Sequence, residues 1–216
     1  MKMPTESAFD PFQFRGNPRQ RAAFHRKMLR HFRGCARVLD LGCGDGDFLA
    51  AARTAGIDTF GIDHSEAAIR ACAARGISAE QEDVLAFVES RREEVSVFDG
   101  IYCAHVVEHL NPQTVLRLLG LLHGAMREGS RLVLVTPNME DLSVATHTFW
   151  LDITHVRPYP AELLQALVEA AGFHKVKTYT LHGLGMNLHY LRQLVFQKPR
   201  FGRRILRPNL VATAER

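Results

Sequence analysis

The stretch Val38-Leu39-Asp40-Leu41-Gly42-Cys43-Gly44-Asp45-Gly46-Asp47-Phe48-Leu49 decides how this chain is read. It is a short apolar strand that stops at Leu41 and runs into glycines at 42, 44 and 46. Without a Cβ, such a bend passes through left-handed conformations and lets a ligand press against bare backbone. The following segment, Phe48 to Ala55, is helix-forming, so its free N–H groups face the same crevice. Asp63 closes the next strand-like run, Thr59-Phe60-Gly61-Ile62-Asp63, where a carboxylate can accept both ribose hydroxyl protons. Open α/β sheets bind ligands at the carboxyl ends of their strands, so these residues predict a nucleoside site. The dinucleotide fingerprint G-x-G-x-x-G would need glycine at position 47, where Asp47 stands, and NAD is therefore disfavoured.

Outward from this stretch, strand-like and helical runs alternate from about residue 36 to 136, punctuated by Gly34, Gly56, Gly76 and Gly129. Alternation of this kind argues for a parallel sheet covered by helices on both faces. Pro112 to Met126 reads as a covering helix, with Asn111 as cap, Pro112 in the first turn and Val115, Leu116, Leu118, Leu119 and Leu122 in the buried stripe. Pro160 to Ala170 repeats that logic, and residues 173 to 181 read as a strand. An arginine-rich helix is expected over residues 18 to 33, with Phe24, Met28, Leu29 and Phe32 on its inner face, as a lid on the crevice. Residues 1–35 thus form an arm and lid helix, and residues 36–216 one domain with a basic insert near 182–208. The last strand is placed at Asn209 to Ala214, with Leu191 to Gln197 as a rival.

With 216 residues, 46% of them hydrophobic, the chain suits a single domain with a sizeable core. Its N-terminus lacks the apolar run of a signal peptide, and no segment approaches the roughly 18 apolar residues of a membrane span. A cytoplasmic protein is expected. Cys35, Cys43, Cys72 and Cys103 form no C-x-x-C pair, which argues against disulfides and a cysteine zinc site. Net charge is +4 but uneven: from Ala170 to Ala214 there is no Asp or Glu, while Lys175, Lys177, Arg192, Lys198, Arg200, Arg203, Arg204 and Arg207 are present. Such a block is either a plain solvated face or a surface for an anionic partner.

The form D-L-G-C-G-x-G at Asp40 to Gly46 resembles the first motif of class I S-adenosylmethionine (SAM) dependent methyltransferases, and the likeness continues in order to residue 138. It includes Asp63, then Gln81-Glu82-Asp83-Val84, then Phe98-Asp99-Gly100-Ile101-Tyr102-Cys103-Ala104-His105, and the fifth strand from Arg131 to Asn138. The resemblance implies a Rossmann-like, seven-stranded, mostly parallel sheet whose last strand is antiparallel. It implies SAM as cofactor, with contacts from Arg15, Asp40, Gly42, Cys43, Gly44, Gly46, Asp63, His64, Asp83, Val84, Ala104 and His105. Asp63 would hold the ribose, Asp83 the adenine amino group, and Arg15 the methionine carboxylate through its two-pronged guanidinium.

Three further segments narrow the likeness: Phe14-Arg15-Gly16, His105-Val106-Val107-Glu108-His109-Leu110, and Phe149-Trp150-Leu151-Asp152-Ile153-Thr154-His155-Val156-Arg157-Pro158. Together they resemble methyltransferases of bacterial surface-polysaccharide (O-antigen) biosynthesis over about residues 9 to 180. That implies methyl transfer to a hydroxyl or phosphate oxygen of a saccharide or related small molecule, with His105 and His155 as the catalytic pair. Rival readings are a small-metabolite or RNA-end methyltransferase, which the basic end would serve, and a SAM-binding protein without turnover. Nucleic acid is disfavoured as a partner, and peripheral membrane contact through the basic end is an open expectation.

No metal is assigned to the site. His105-x-x-Glu108-His109 spells the inverted zinc-protease motif H-x-x-E-H, but here it follows a strand inside a methyltransferase sequence. Certain RNA-terminal methyltransferases hold a divalent metal with similarly placed residues, which keeps Glu108, His109 and His155 as an alternative ligand set; His105 stands where that family has Glu. The plainer reading has Glu108 and His109 pinning the turn by hydrogen bonds. Arg157 would orient a phosphate acceptor, and Trp150 and Phe149 either stack on a sugar face or fill the core.

Overall fold

The computed structural model of the protein describes residues 18–181 and 209–216. Its strands are β1 (Arg37–Leu41), β2 (Asp58–Asp63), β3 (Ala79–Gln81), β4 (Gly100–Ala104), β5 (Arg131–Pro137), β6 (His174–Leu181) and β7 (Asn209–Glu215). They form one sheet in the order β3-β2-β1-β4-β5-β7-β6. β3, β2, β1, β4 and β5 pair in parallel, whereas β7 runs antiparallel to both β5 and β6. The expected late strand is therefore present and lies inside the sheet between β5 and β6, in register with the whole of β5: Asn209 faces Pro137 and Glu215 faces Arg131.

Helices α1 (Pro18–Met28), α2 (Asp47–Thr54), α3 (Glu66–Ala74), α4 (Val84–Ser90), α5 (Arg92–Val95), α6 (Pro112–Ala125), α7 (Leu142–Thr146) and α8 (Ala161–Ala170) cover the sheet. Their ends follow cap chemistry. Asn111 Oδ1 accepts the Thr114 N–H at 2.9 Å, opening α6 as its sequence predicts. α6 then buries Val115, Leu118, Leu119 and Leu122 in the larger core cluster, whereas Leu116, expected in the same stripe, is 44% exposed because it falls on the outer side of the helix.

The second core cluster lies on the other face of the sheet, under α1 and α2. Met28 and Phe32 are fully buried there, and Phe48 stacks on Tyr102 with ring centroids 4.0 Å apart. The expected helix over 18 to 33 ends at Met28 and continues as a 3₁₀ turn, Leu29–Phe32. Arg131 clamps that turn from β5 by donating to the carbonyls of His31 (3.0 Å) and Arg33 (2.6 Å). At its other end α1 reaches the glycine bend, where Arg21 pairs with Asp47 at 3.1 Å and Asp45 at 3.6 Å. α1, the helix expected as a lid, is thus tied to the glycine bend. Arg15 and the insert 182–208, including the rival strand Leu191 to Gln197, lie outside the described residues.

Candidate functional site

The strand order reverses between β1 and β4, so their carboxyl ends open a crevice with no crossover helix above it. The glycine bend forms its floor. Gly42, Gly44 and Gly46 have φ of 80°, 51° and 76°, in the left-handed region. At Gly42 space is also closed, because a Cβ would lie 2.3 Å from Val106 Cγ2. The bend is tied to β2 by Gly42 N–H and Cys43 N–H donating to the Ile62 carbonyl at 2.8 and 3.0 Å.

Asp63 does more than present a carboxylate to the crevice. Its Oδ2 accepts the Gly44 N–H at 2.8 Å and its Oδ1 the Ser65 N–H at 2.9 Å, so it staples the glycine bend to the start of α3. A carboxylate has about four lone-pair sites, which leaves two for ribose hydroxyls. His64, beside it, is exposed. Asp83 has a similar double duty: Oδ1 caps α4 through the Ala86 N–H at 2.9 Å, while the side chain stays exposed at the crevice rim near β2. Val84 is partly buried against the core and Ala104 ends β4.

Asp40 is 2% exposed, in the middle of the sheet's carboxyl half. Burial, and then the Asp63 charge, push its carboxyl well above the usual carboxylate range. Cys43 is buried, and burial followed by the charge of Asp40 pushes its thiol far up, which makes it a packing residue and not a nucleophile.

His105 follows β4 directly and has φ 57°, an unusual backbone for a residue with a side chain. Its N–H donates to the Val135 carbonyl at 2.9 Å, which fixes the turn. Its Nδ1 meets Glu108 Oε1 at 2.9 Å. Glu108 is fully buried, and its Oε2 accepts the Thr136 hydroxyl proton at 3.2 Å. Burial alone would raise Glu108, yet the His105 hydrogen bond and the charges of His105 and His109 bring it below the ordinary glutamate range. Glu108 thus holds the half-exposed His105 ring through its Nδ1.

The loop after β5 closes on the same turn. Val156 and Arg157 N–H groups donate to the Glu108 carbonyl at 2.8 and 3.2 Å. His155 is mostly buried, stacked against Phe149 at 4.4 Å and against His109 at 4.7 Å. Ligand atoms of Glu108, His109 and His155 lie within 4.8 Å of one another. Of the two histidines named as catalytic, His105 is half-exposed and bonded to Glu108, while His155 is mostly buried within its own loop. The adjacent aromatics part company: Phe149 is buried, while Trp150 is 63% exposed, its Nε1–H held by the Ala145 carbonyl at 2.8 Å. Arg157 lies over the Tyr159 ring at 5.4 Å.

Thr136, Asp152 and Thr154 received no role from the sequence. Asp152 Oδ1 accepts from Thr154 N–H (2.9 Å) and Oγ1–H (2.5 Å), and Thr154 Oγ1 in turn meets His109 Nδ1 at 2.9 Å. The Asp-x-Thr spacing is a turn signal and was the available clue. Nothing in the sequence marks Thr136, whose partner lies 28 residues away.

A family model described as a methyltransferase domain matches residues 14–178. No curated protein matches this chain. Among solved structures, a SAM-dependent methyltransferase from Archaeoglobus fulgidus is 27% identical, with 98% of this chain and 100% of that one covered at a TM-score of 0.78. One from Mesorhizobium loti is 20% identical, covering 90% and 96%, at 0.65. One from Thermotoga maritima, described as a possible histamine N-methyltransferase, is 16% identical, covering 95% and 97%, at 0.63.

Proposed function

Because the chain belongs to the methyltransferase-domain family and is a SAM-dependent methyltransferase, we propose that it transfers the methyl group to an oxygen of a saccharide or related small molecule. The observation that carries the oxygen reading is the His105–Glu108 pair. A hydroxyl attacking the sulfonium methyl carbon must shed a proton as the C–O bond forms and the C–S bond breaks. In this reading Nε2 of His105, just after β4, takes that proton, and Glu108 orients the ring through its hydrogen bond to Nδ1. Alignment of oxygen, methyl carbon and sulfur supplies the rest of the acceleration. In this reading Asp63 and Asp83 hold the nucleoside, and Asp40 lies beneath the methionine end.

The exposed Trp150, on the loop that closes over the crevice, supports a saccharide acceptor, since an indole face suits a sugar ring. The O-antigen likeness of this loop points the same way. Arg157 would orient a phosphate if the acceptor carries one. Four free cysteines suit a reducing compartment, and we place the protein in the cytoplasm. No helix among the described residues is long and apolar enough to cross a membrane.

The test is incubation of purified protein with radiolabelled SAM and separate pools of glycan precursors, RNA and small metabolites. Label in an alkali-stable ether or a phosphoester of the glycan pool is the expected result. Label confined to RNA or to an amine overturns it.

A further inference from the structure

We propose that Glu108, His109 and His155 form a binding site for one divalent transition-metal ion, placed beside His105 at the mouth of the crevice. The first observation is convergence: three side chains from two separate loops bring one ligand atom each to within 4.8 Å. The second is how their other atoms are occupied. His155 Nδ1 lies 2.6 Å from the Phe149 carbonyl, which can only accept, so Nδ1 carries the proton and Nε2 is a lone pair. His109 Nδ1 meets Thr154 Oγ1, whose own proton goes to Asp152, so this ring too is an Nδ1–H donor with a bare Nε2.

Both imidazoles are thus locked in the tautomer that ligates through Nε2, by the carbonyl and hydroxyl–carboxylate partners that commonly orient metal-binding histidines. Glu108, buried and ionised, accepts one proton on each oxygen and keeps further lone pairs. Two imidazoles and a carboxylate suit zinc, cobalt(II), manganese(II) or iron(II) better than magnesium, and leave positions open for water or substrate. Metal–nitrogen bonds of about 2.0–2.1 Å imply ligand–ligand edges near 3.3 Å, so entry of the ion draws the three side chains inward by about 1–1.5 Å.

With an acceptor hydroxyl in an open position, the ion would polarise the O–H bond as His105 takes the proton. That consequence rests on the oxygen-methylation reading; metal binding itself does not. The experiment uses tag-free, chelator-treated full-length protein titrated with cobalt(II) chloride, followed by visible d–d absorption. We expect saturation at one equivalent, displacement by zinc, and loss of the band in His109→Ala and His155→Ala with SAM affinity retained. Thr154→Val, which removes only the group orienting His109, should weaken cobalt binding by about 10–100-fold. Absence of cobalt binding, or native affinity in both histidine variants, overturns the site. Isothermal titration of SAM on the same samples separates the outcomes: a protein that binds SAM but no metal sinks this inference alone, whereas metal binding without oxygen methylation sinks only the acceptor reading.

Discussion

At the scale of single residues, His105 combines an unfavourable backbone with a favourable side-chain position. Left-handed conformations at residues other than glycine cost on the order of 1–3 kcal/mol and persist where the surroundings over-determine them. Here the Val135 carbonyl and Glu108 do so. His105→Asn is the informative change, because Asn tolerates the same backbone and can donate to Glu108 but offers no basic nitrogen. Methyl transfer to a hydroxyl should fall by about 10²–10⁴-fold in kcat with folding and SAM affinity kept. A kcat within a factor of about three of the parent would remove His105 as base.

Asp40 gives a second residue-scale outcome. Its folded-state carboxyl lies well above its unfolded value, so between the two the folded protein binds the extra proton, and this group makes stability fall as pH rises through that window. A ligand bearing ammonium and sulfonium charges favours the ionised form instead. SAM affinity should therefore increase with pH across the same window, with proton release on binding. Calorimetry in two buffers of different ionisation enthalpy measures that release, and none at all would place Asp40 away from the bound charges.

At the scale of elements, the glycine bend and the turn after β4 are one unit, since Gly42 packs under Val106. Gly42→Ala adds a Cβ at a φ of 80° and in contact with Val106, so it should destabilise the protein by about 1–3 kcal/mol and abolish SAM binding together. Asn111→Ala, by contrast, removes only the cap of α6 and should cost about 1 kcal/mol in thermal unfolding with SAM affinity unchanged.

These elements also show what was legible. The glycine bend could be read because a left-handed backbone selects a residue type, and α6 because burial on one face repeats every three or four residues. His105 carries the same left-handed conformation with a side chain, which no residue pattern announces. Trp150 and Phe149 are neighbours of like chemistry, so only the path of the loop could send one to the core and the other to solvent. Asp83 and Asp63 are read from the sequence as crevice acids, but their backbone partners come from tertiary register: Asp63 faces Gln81, and Gly44 lies across the bend. The Glu108–His109–His155 grouping joins turns 46 positions apart, a distance that periodicity does not span.

At the scale of the whole molecule, positive charge gathers away from the crevice. A cavity of about 780 Å³ lies between α1 and the amino ends of β1 and β2, lined by Arg26, Lys27, Arg30 and Arg33 with Tyr179 of β6. Burial, followed by the charges of Arg30 and Arg131, lowers His31 beside it to about 4, which keeps that ring neutral above this pH. The sequence between β6 and β7 adds six Lys or Arg and no acid from Arg192 to Arg207, in a segment outside the described residues. We propose that this face meets anionic lipid headgroups, as an acceptor carried on a membrane would require. Sedimentation should then show binding to phosphatidylglycerol vesicles that weakens as salt rises and is absent for phosphatidylcholine, and equal retention by both lipids would overturn it.

The double engagement of Asp63 has a thermodynamic corollary. Since both carboxylate oxygens already hold backbone N–H groups of the floor and of α3, the receiving surface is set before any nucleoside arrives, and little chain freedom is left to surrender on docking. Amide exchange at Gly44 and Ser65 should already be slow in the empty protein, so that occupancy slows it only slightly further.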